Sequence, residues 1–251
     1  MSKTDDSDAY LLAAEMDAIV DFAIASGTVT ASELMARRAH AVVDAVFEEW
    51  PDFADGYRTA VVMCGPGNNG GDGFAIARVL HERGWAVEVF FYGTPDTLPA
   101  PAKESYAQWK KIGAVRDLLT DFDVQIAWRT ADLAVDALFG SGISRALPEL
   151  ILVFFNLDDA TDIYAEPLMR NSPLFAAPRV LAVDLPSGVT PDTGEFYLQP
   201  DGGPGAASAN LTVTFHKKRR AHRLAVGPVL SGKVVVKDIG LHEVEAALST
   251  S

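Results

Sequence analysis

The sequence is poor in cysteine and has no long apolar run. Its 251 residues include one cysteine, Cys64, which cannot form an internal disulfide and which we interpret as a small buried side chain rather than a nucleophile. No apolar run approaches the roughly 20 residues that a membrane-spanning helix needs, and the first residues are polar and acidic rather than signal-like. These absences predict a soluble, cytoplasmic protein.

The sequence also lacks paired metal-ligand motifs and an excess of positive charge. It contains no C-x-x-C pair, and its five histidines form no H-x-H pair, which disfavours a zinc site. The net charge of −13 opposes non-specific binding to nucleic acid. Against this background the basic run at residues 217–220 (KKRR) stands out. It is either a solvated loop or a clamp for a phosphorylated ligand, and the sequence leaves both interpretations open.

Apolar patterning predicts one large α/β domain. Two helices come first, at residues 10–26 and from a capping box at Thr30 and Glu33 to about Trp50. Strands and helices alternate after them. The predicted strands are residues 59–64, 86–91, 133–138, 180–183, 211–215 and 233–236, and the predicted helices among them are residues 72–83 and 102–112. This alternation predicts a three-layer α/β/α Rossmann-like sandwich with a mostly parallel sheet. Residues 156–177 lack periodicity and read as an irregular insertion.

The most informative segment is a glycine-rich turn at residues 65–73 (GPGNNGGDG), which follows an apolar strand and precedes a helix predicted to begin at Asp72. Glycines and a helix N-terminus suit a phosphate or dinucleotide. The turn also matches G-x-G-x-x-G, but no acid follows the second strand, which ends VFFYG; this disfavours a redox dehydrogenase. The side chains of Asn68, Asn69 and Asp72 exceed what a plain phosphate turn requires.

Two further acids stand at predicted strand ends. Asp136 lies in VDALFGSG (135–142) and Asp184 in VDLPSG (183–188). A carboxylate in an apolar strand is costly to bury unless it is paired, hydrogen-bonded or metal-bound. Either aspartate alone could cap loop amides. Ligands bind beyond the carboxyl ends of parallel strands, so two such acids near a glycine-rich turn favour a functional site.

Together these motifs resemble those of the NAD(P)H-hydrate epimerases, also called the YjeF N-terminal domain. The resemblance runs in the family's order through nearly the whole chain. The matching segments are residues 65–73, 135–142, 183–188 with DTG (192–194) behind it, TVTF (212–215) and 232–241 with its DIG (238–240). It implies a single domain, with a helical segment 8–50 packed on an α/β core 58–245. It also implies that the R and S hydrates of NADH and NADPH, which carry a hydroxyl at C6 of the nicotinamide, are interconverted.

The resemblance further implies the roles of individual residues. Asp184 would be the acid–base group, and a potassium ion would bind Asn69, Asp136 and Ser187, whose oxygens suit a hard cation. The residues implied to contact the damaged nucleotide are Asn68, Asn69, Gly70, Gly71, Asp72, Gly140, Ser141, Gly142, Ile143, Ser144, Arg145, Ala146 and Asp184. The resemblance implies a homodimer as well. Because little sequence follows residues 238–240, we expect a separate NAD(P)H-hydrate dehydratase to complete the repair.

Two segments depart from the family pattern. The second helix reads LMARRA (34–39) where the family has Leu-Met-Glu followed shortly by Gly, which affects packing that the family uses in its dimer. Residues 216–223 are unusually basic. We expect the basic stretch not to touch the catalytic positions. The rival interpretation is a non-catalytic nucleotide- or RNA-related binding or scaffold module on the same fold. Such scaffolds tend to lose the polar strand-end residues, which are all present here. The preference between NADHX and NADPHX stays open.

Overall fold

A seven-stranded parallel sheet forms the centre of the protein. The computed structural model describes residues 10–121, 123–142, 146–148, 151, 178–200, 202–203 and 205–250. Its strands are β1 (Tyr10–Leu11), β2 (Thr59–Cys64), β3 (Ala86–Phe91), β4 (Val115–Asp117), β5 (Leu133–Ala137), β6 (Arg179–Val183), β7 (Leu211–Phe215), β8 (Lys218–Arg219) and β9 (Lys233–Lys237). The insertion expected at 156–177 and the residues Ile143, Ser144 and Arg145 lie outside the described residues.

The strand order is β4-β3-β2-β5-β6-β7-β9, and every neighbouring pair is parallel. The chain first adds β3 and β4 on one side of β2. It then returns to the other side of β2 and adds β5, β6, β7 and β9 in turn. This reversal between β2 and β5 is the point at which parallel α/β sheets form a ligand crevice. β1 and β8 form a separate two-stranded parallel sheet, with Tyr10 opposite Lys218 and Leu11 opposite Arg219.

Helices cover both faces of the seven-stranded sheet. The α-helices among the described residues are α1 (Ala13–Ala25), α2 (Ala31–Glu49), α3 (Asn68–Glu82), α4 (Ala100–Trp109), α5 (Val124–Thr130), α6 (Gly227–Ser231) and α7 (His242–Leu248). Alternate residues of β2 belong to different cores: Val62 and Cys64 pack with α1 to α4 and α7, whereas Val61 and Met63 pack with α5. The predicted three-layer α/β/α sandwich with a parallel sheet is confirmed.

The second helix begins as the sequence predicts. The backbone N–H of Glu33 donates to Thr30 Oγ1 over 3.2 Å, and the backbone N–H of Thr30 donates to Glu33 Oε2 over 2.8 Å. Two of the N–H groups that a helix start leaves unpaired are thereby satisfied. In the described part of the chain, no helix is both long enough and apolar enough to cross a bilayer.

The third helix begins at Asn68, four residues before the predicted start at Asp72, so the prediction was wrong here. Glycines have poor helix propensity, which is why the sequence favours a turn. In the structure, close packing favours a helix at these glycines instead. A Cβ on Gly70 would lie 1.8 Å from the carbonyl oxygen of Gly65, and a Cβ on Gly71 would lie 2.7 Å from Cα of Ala102 in α4. The glycines thus let the first turn of α3 lie directly against its neighbours.

Candidate active site

The predicted site residues gather at the carboxyl edge of the sheet, around the reversal between β2 and β5. The first turns of α3 carry Asn68 to Asp72, because α3 follows β2 directly. Asp136 lies within β5, and Asp184 and Ser187 follow β6. These strands are neighbours in the sheet, so residues far apart in sequence come together at one edge. The three motifs that the sequence analysis singled out therefore share this edge.

Asp136 and Ser187 form a buried polar pair. The backbone N–H of Ser187 donates to Asp136 Oδ2 over 2.8 Å, and Ser187 Oγ donates to Asp136 Oδ1 over 2.5 Å. Burial raises the pKa of Asp136 to about 6, against the lowering effect of these bonds and of the N–H of Leu138. No lysine or arginine among the described residues forms an ion pair with Asp136. Its carboxylate is therefore a buried negative charge without a cationic side-chain partner in that part of the chain.

Asn69 and the loop after β5 add further oxygen atoms nearby. A Cβ on Gly140 would lie 3.5 Å from Asn69 Oδ1, so the Asn69 side chain lies against this loop. Asn69 Nδ2 is buried and has no hydrogen-bond partner among the described residues. Ser187 Oγ accepts from the N–H of Phe139 over 2.8 Å and lies 3.1 Å from the carbonyl oxygen of Phe139. Carboxylate, hydroxyl and amide oxygens are the donor set that a hard cation prefers, and these residues could hold one.

Asp184 occupies a constrained position one residue beyond β6. Its φ of +66° is in the left-handed region that non-glycine residues rarely adopt, and its backbone N–H donates to the carbonyl oxygen of Val213 over 2.8 Å. Its side chain is 13% exposed. Oδ1 accepts a 2.7 Å hydrogen bond from Thr214 Oγ1 and lies 3.2 Å from Arg219 Nη2, while Arg219 Nε donates to Oδ2 over 3.3 Å.

These contacts keep Asp184 ionised. Burial raises its pKa, but the charge of Arg219 and the hydrogen bond from Thr214 outweigh burial and leave the pKa below its ordinary value. A strained backbone position, a charged partner and partial exposure at a strand end are typical of functional carboxylates.

His222 fixes the segment that carries Arg219. The backbone N–H of Arg219 donates to His222 Nδ1 over 3.0 Å, so Nδ1 carries no proton. His222 Nε2 lies 3.0 Å from the backbone carbonyl oxygen of Asp184, which can only accept, so Nε2 is the donor. Burial lowers the pKa of His222 to about 4, in agreement with this neutral tautomer. His222 therefore ties the basic segment to the backbone of Asp184.

The expectation that the basic stretch leaves the catalytic positions untouched was wrong, because Arg219 is buried against Asp184. Lys217 is also paired with an acid, Glu245, by an ion pair. Arg219, His222 and Thr214 are site residues that were not predicted from the sequence. Thr214 carried a usable signal, since it is a polar residue near the end of an apolar strand, as Asp136 is. Arg219 and His222 could not be recognised in this way, because a cluster of basic residues is equally typical of a solvated loop.

Asp72 forms the second carboxylate centre of the site, and Arg38 is its partner. Asp72 is buried, and its Oδ2 lies 3.5 Å from Arg38 Nη1, while its Oδ1 has no hydrogen-bond partner among the described residues. Burial raises the pKa of Asp72 to about 7; Arg38 lowers it and the negative charge of Asp184 raises it further. Arg38 belongs to the LMARRA departure, which therefore also reaches the site.

The remaining predicted residues line the same edge at different depths. Asn68 is exposed at the first residue of α3, whereas Gly70 and Gly71 are buried beneath it. Gly140 and Ser141 are half-buried, and Gly142 is exposed. Ala146 packs against Gly205, where an added Cβ would lie 2.7 Å from that of Ala146. Contact between these residues and a nucleotide stays a prediction.

The sequence is similar to proteins of one family over most of its length. Residues 31–221 match the family described as YjeF-related protein N-terminus. A protein of Rhodobacter capsulatus named NAD(P)H-hydrate epimerase is 39% identical over 235 residues, which cover 90% of this chain and 96% of that protein. A protein of Roseobacter litoralis with the same name is 34% identical over 249 residues, or 92% of this chain and 98% of that protein.

A longer relative and a solved structure add to these matches. The bifunctional NAD(P)H-hydrate repair enzyme Nnr of Methanothermobacter thermautotrophicus is 34% identical over 204 residues, which cover 78% of this chain but 34% of that protein. The crystal structure of the yeast protein ynu0 (YNL200c) matches with a TM-score of 0.66 at 18% identity, over 91% of this chain and 87% of that one. At this identity, the structural match shows a shared fold.

Proposed function

This chain belongs to the YjeF-related N-terminal family, and from that premise we propose that it is an NAD(P)H-hydrate epimerase. It is an isomerase that interconverts the R and S hydrates of NADH and NADPH, as part of nicotinamide nucleotide repair. The observation that carries the chemistry is the ionised Asp184, held by Arg219 and Thr214 at the carboxyl edge of the sheet. The function rests as well on the near full-length similarity to relatives that bear this name.

The reaction requires groups that this edge of the sheet can supply. A hydroxyl on the carbon beside the ring nitrogen is a hemiaminal. Protonation of that hydroxyl lets water leave and produces an iminium cation, and water can then return to either face of the ring. The site must protonate the leaving oxygen, stabilise the cation and remove a proton from the returning water.

Two carboxylates whose pKa values are displaced in opposite directions fit these tasks. Asp184 has a lowered pKa and is ionised at neutral pH, so it can stabilise the cation and accept the proton of the returning water. Asp72 has a pKa raised to about 7, which supports a role as the proton donor to the leaving hydroxyl. The exposed N-terminus of α3 at Asn68 is suited to the negatively charged phosphates of the dinucleotide.

A potassium ion bound by Asn69, Asp136 and Ser187 is also part of the proposal. The support is the fit of the residues: Asp136 is buried without a cationic partner among the described residues, Ser187 Oγ contacts its carboxylate, and Asn69 Oδ1 lies against the loop after β5. A bound potassium ion supplies a fixed positive charge. Through it, Asp136, Ser187 and Asn69 would hold the end of β5 and the loop after β6 in register with α3, because they come from these three segments.

We extend the proposal to two partners. The first is a separate NAD(P)H-hydrate dehydratase, which would consume one epimer, and the existence of a bifunctional repair enzyme among the relatives supports such a coupling. The second is another copy of this chain, in the homodimer that the family resemblance implies. Location in the cytoplasm also stays a proposal.

The direct test is to incubate the protein with one purified epimer and to follow the second epimer by chromatography. The wild-type protein should bring both starting epimers to the same ratio, faster than the spontaneous reaction does. Conversion at the spontaneous rate, by folded protein with potassium present, would reject the epimerase function in favour of a binding module.

A further inference from the structure

A second cluster of ligating side chains lies away from the three motifs, where β7 ends and α7 begins to cover it. His216 directly follows β7, and His242 and Glu245 stand three residues apart on α7. One ligand atom from each of the three lies within 4.8 Å of the others. The residues come from two elements that are distant in sequence, so the spacing rules that disfavoured a zinc site could not detect them.

The geometry of this cluster is close to that of a metal site. His216 Nε2 lies 3.0 Å from Glu245 Oε2, and the rings of His216 and His242 are 4.7 Å apart between centroids, at 51° to each other. Two ligands bound to a tetrahedral zinc ion at the usual bond lengths are roughly 3.3 Å apart. The His242 side chain is 60% exposed, so it can rotate toward the other two without disturbing the core.

His216 is the fixed member of the cluster. Its side chain is fully buried, and its Nδ1 has no hydrogen-bond partner in the part of the chain that the structure describes. Its φ of +66° holds the residue in a conformation that is costly for histidine. The nitrogen that faces Glu245 is Nε2, and Nδ1, which no hydrogen bond among the described residues holds, can carry the ring proton when Nε2 binds a metal ion.

Lys217 is the competing cation. Its ammonium is paired with Glu245 Oε1, whereas the other oxygen, Oε2, faces His216. One carboxylate oxygen is therefore available to a metal ion while the lysine keeps the other. A positive charge this close weakens the binding of a divalent cation, and its removal should strengthen binding. If the contact served only as a salt bridge that holds α7, removal of the lysine would leave zinc binding unchanged.

We propose that His216, His242 and Glu245 bind one divalent transition-metal ion of the zinc class. Two imidazoles and a carboxylate are a common protein ligand set for such ions, and three protein ligands leave a position for water. The ion would fasten α7 to the end of β7, and α7 in turn packs against α1. The site is distinct from the proposed potassium site and does not depend on the epimerase activity.

The test is calorimetric titration of tag-free, chelator-treated protein with zinc chloride at constant potassium chloride. We expect the wild type to bind one ion per chain. His242→Ala and Glu245→Gln should bind at least about tenfold more weakly. His81→Ala, which removes an exposed histidine from α3, should bind as the wild type does. Thermal unfolding of each variant verifies that it is folded.

Lys217→Gln separates the metal site from a simple salt bridge. It should bind zinc more tightly than the wild type does, because it removes the competing cation. At the same zinc concentration, zinc should also raise the unfolding temperature of the wild type more than that of His242→Ala. Equal zinc affinity in the wild type and in His242→Ala would overturn the proposal, as would the absence of zinc binding to folded wild-type protein.

Discussion

At Asp184, burial and ion pairing act on one carboxylate in opposite directions. Asp184→Asn removes the charge at nearly constant volume, and asparagine tolerates the left-handed backbone that this position requires. We expect epimerisation to fall by about 10²–10⁴-fold, with the fold retained. The measurement is the rate of conversion of a pure epimer, together with circular dichroism. Asp55→Asn, at an exposed aspartate, is the control, and wild-type turnover in Asp184→Asn would refute the assignment.

Asp72 makes a prediction about stability and pH. Its pKa is about 7 in the folded protein and 3.8 in a model peptide, so between these values the folded state holds a proton that the unfolded state has released. The contribution of Asp72 to the free energy of unfolding therefore falls as the pH rises from about 4 to about 7. The asparagine of the Asp72→Asn variant does not titrate, so this loss of stability does not occur there. The unfolding temperature of Asp72→Asn, relative to that of the wild type, should therefore rise across that pH range. For the control Asp55→Asn we expect the unfolding temperature to follow the pH profile of the wild type. The same parallel profile for Asp72→Asn would contradict the prediction.

Asp136 carries the prediction about potassium. Asp136→Ala removes the charged ligand, so activity should lose its dependence on potassium, and potassium should no longer raise the unfolding temperature. Choline chloride replaces potassium chloride to keep the ionic strength constant. Activity and unfolding temperature that respond to potassium in Asp136→Ala as in the wild type would count against the site.

Some of the site residues can be recognised from the sequence and others cannot. Asp136 and Thr214 are visible because a polar residue near the end of an apolar strand is expensive without a partner. Arg38 and Arg219 are not visible. Each belongs to a polar segment that suits solvent equally well, and only the folding of distant segments brings them to Asp72 and Asp184.

At the scale of the element, α3 shows how packing overrides propensity. Gly71→Ala should improve helix propensity and yet destabilise the protein by about 1–3 kcal/mol, because the added Cβ would lie 2.7 Å from both Cα and Cβ of Ala102. Gly67→Ala is the matched control, since no described atom lies within 4 Å of its added Cβ. It should cost less than about 1 kcal/mol, from the weaker helix cap. Urea unfolding measures both, and equal stability of the two variants would refute the packing argument.

The central strands were predictable and several short elements were not. β2, β3 and β7 begin and end where their apolar runs predict. β2 and β7 are buried almost throughout and β3 over its second half, which leaves few alternatives. β4 has three residues with two charges, and α5, α6 and α7 have seven residues or fewer. Such short elements carry too little periodicity to be recognised, and they form because the sheet gives them a surface to cover.

At the scale of the whole molecule, the proposed chemistry conserves the hydration state of the nucleotide. Water leaves and water returns, so we expect the protein alone to equilibrate the two epimers without regenerating NADH. Addition of ADP or ATP should change nothing until a dehydratase is supplied. Absorbance of reformed NADH measures this result directly. Recovery that depends on the nucleotide without added dehydratase would show that the protein does more than epimerise.

The small sheet between β1 and β8 sets the order in which this molecule can be assembled. It pairs Leu11, near the start of the described chain, with Arg219, near its end, and the same arginine holds Asp184. Contacts between residues so distant in sequence carry a large loop-closure entropy and form late in folding. We therefore expect the small sheet to form after the central sheet, and recovery of activity to lag behind recovery of secondary structure when the unfolded protein is refolded.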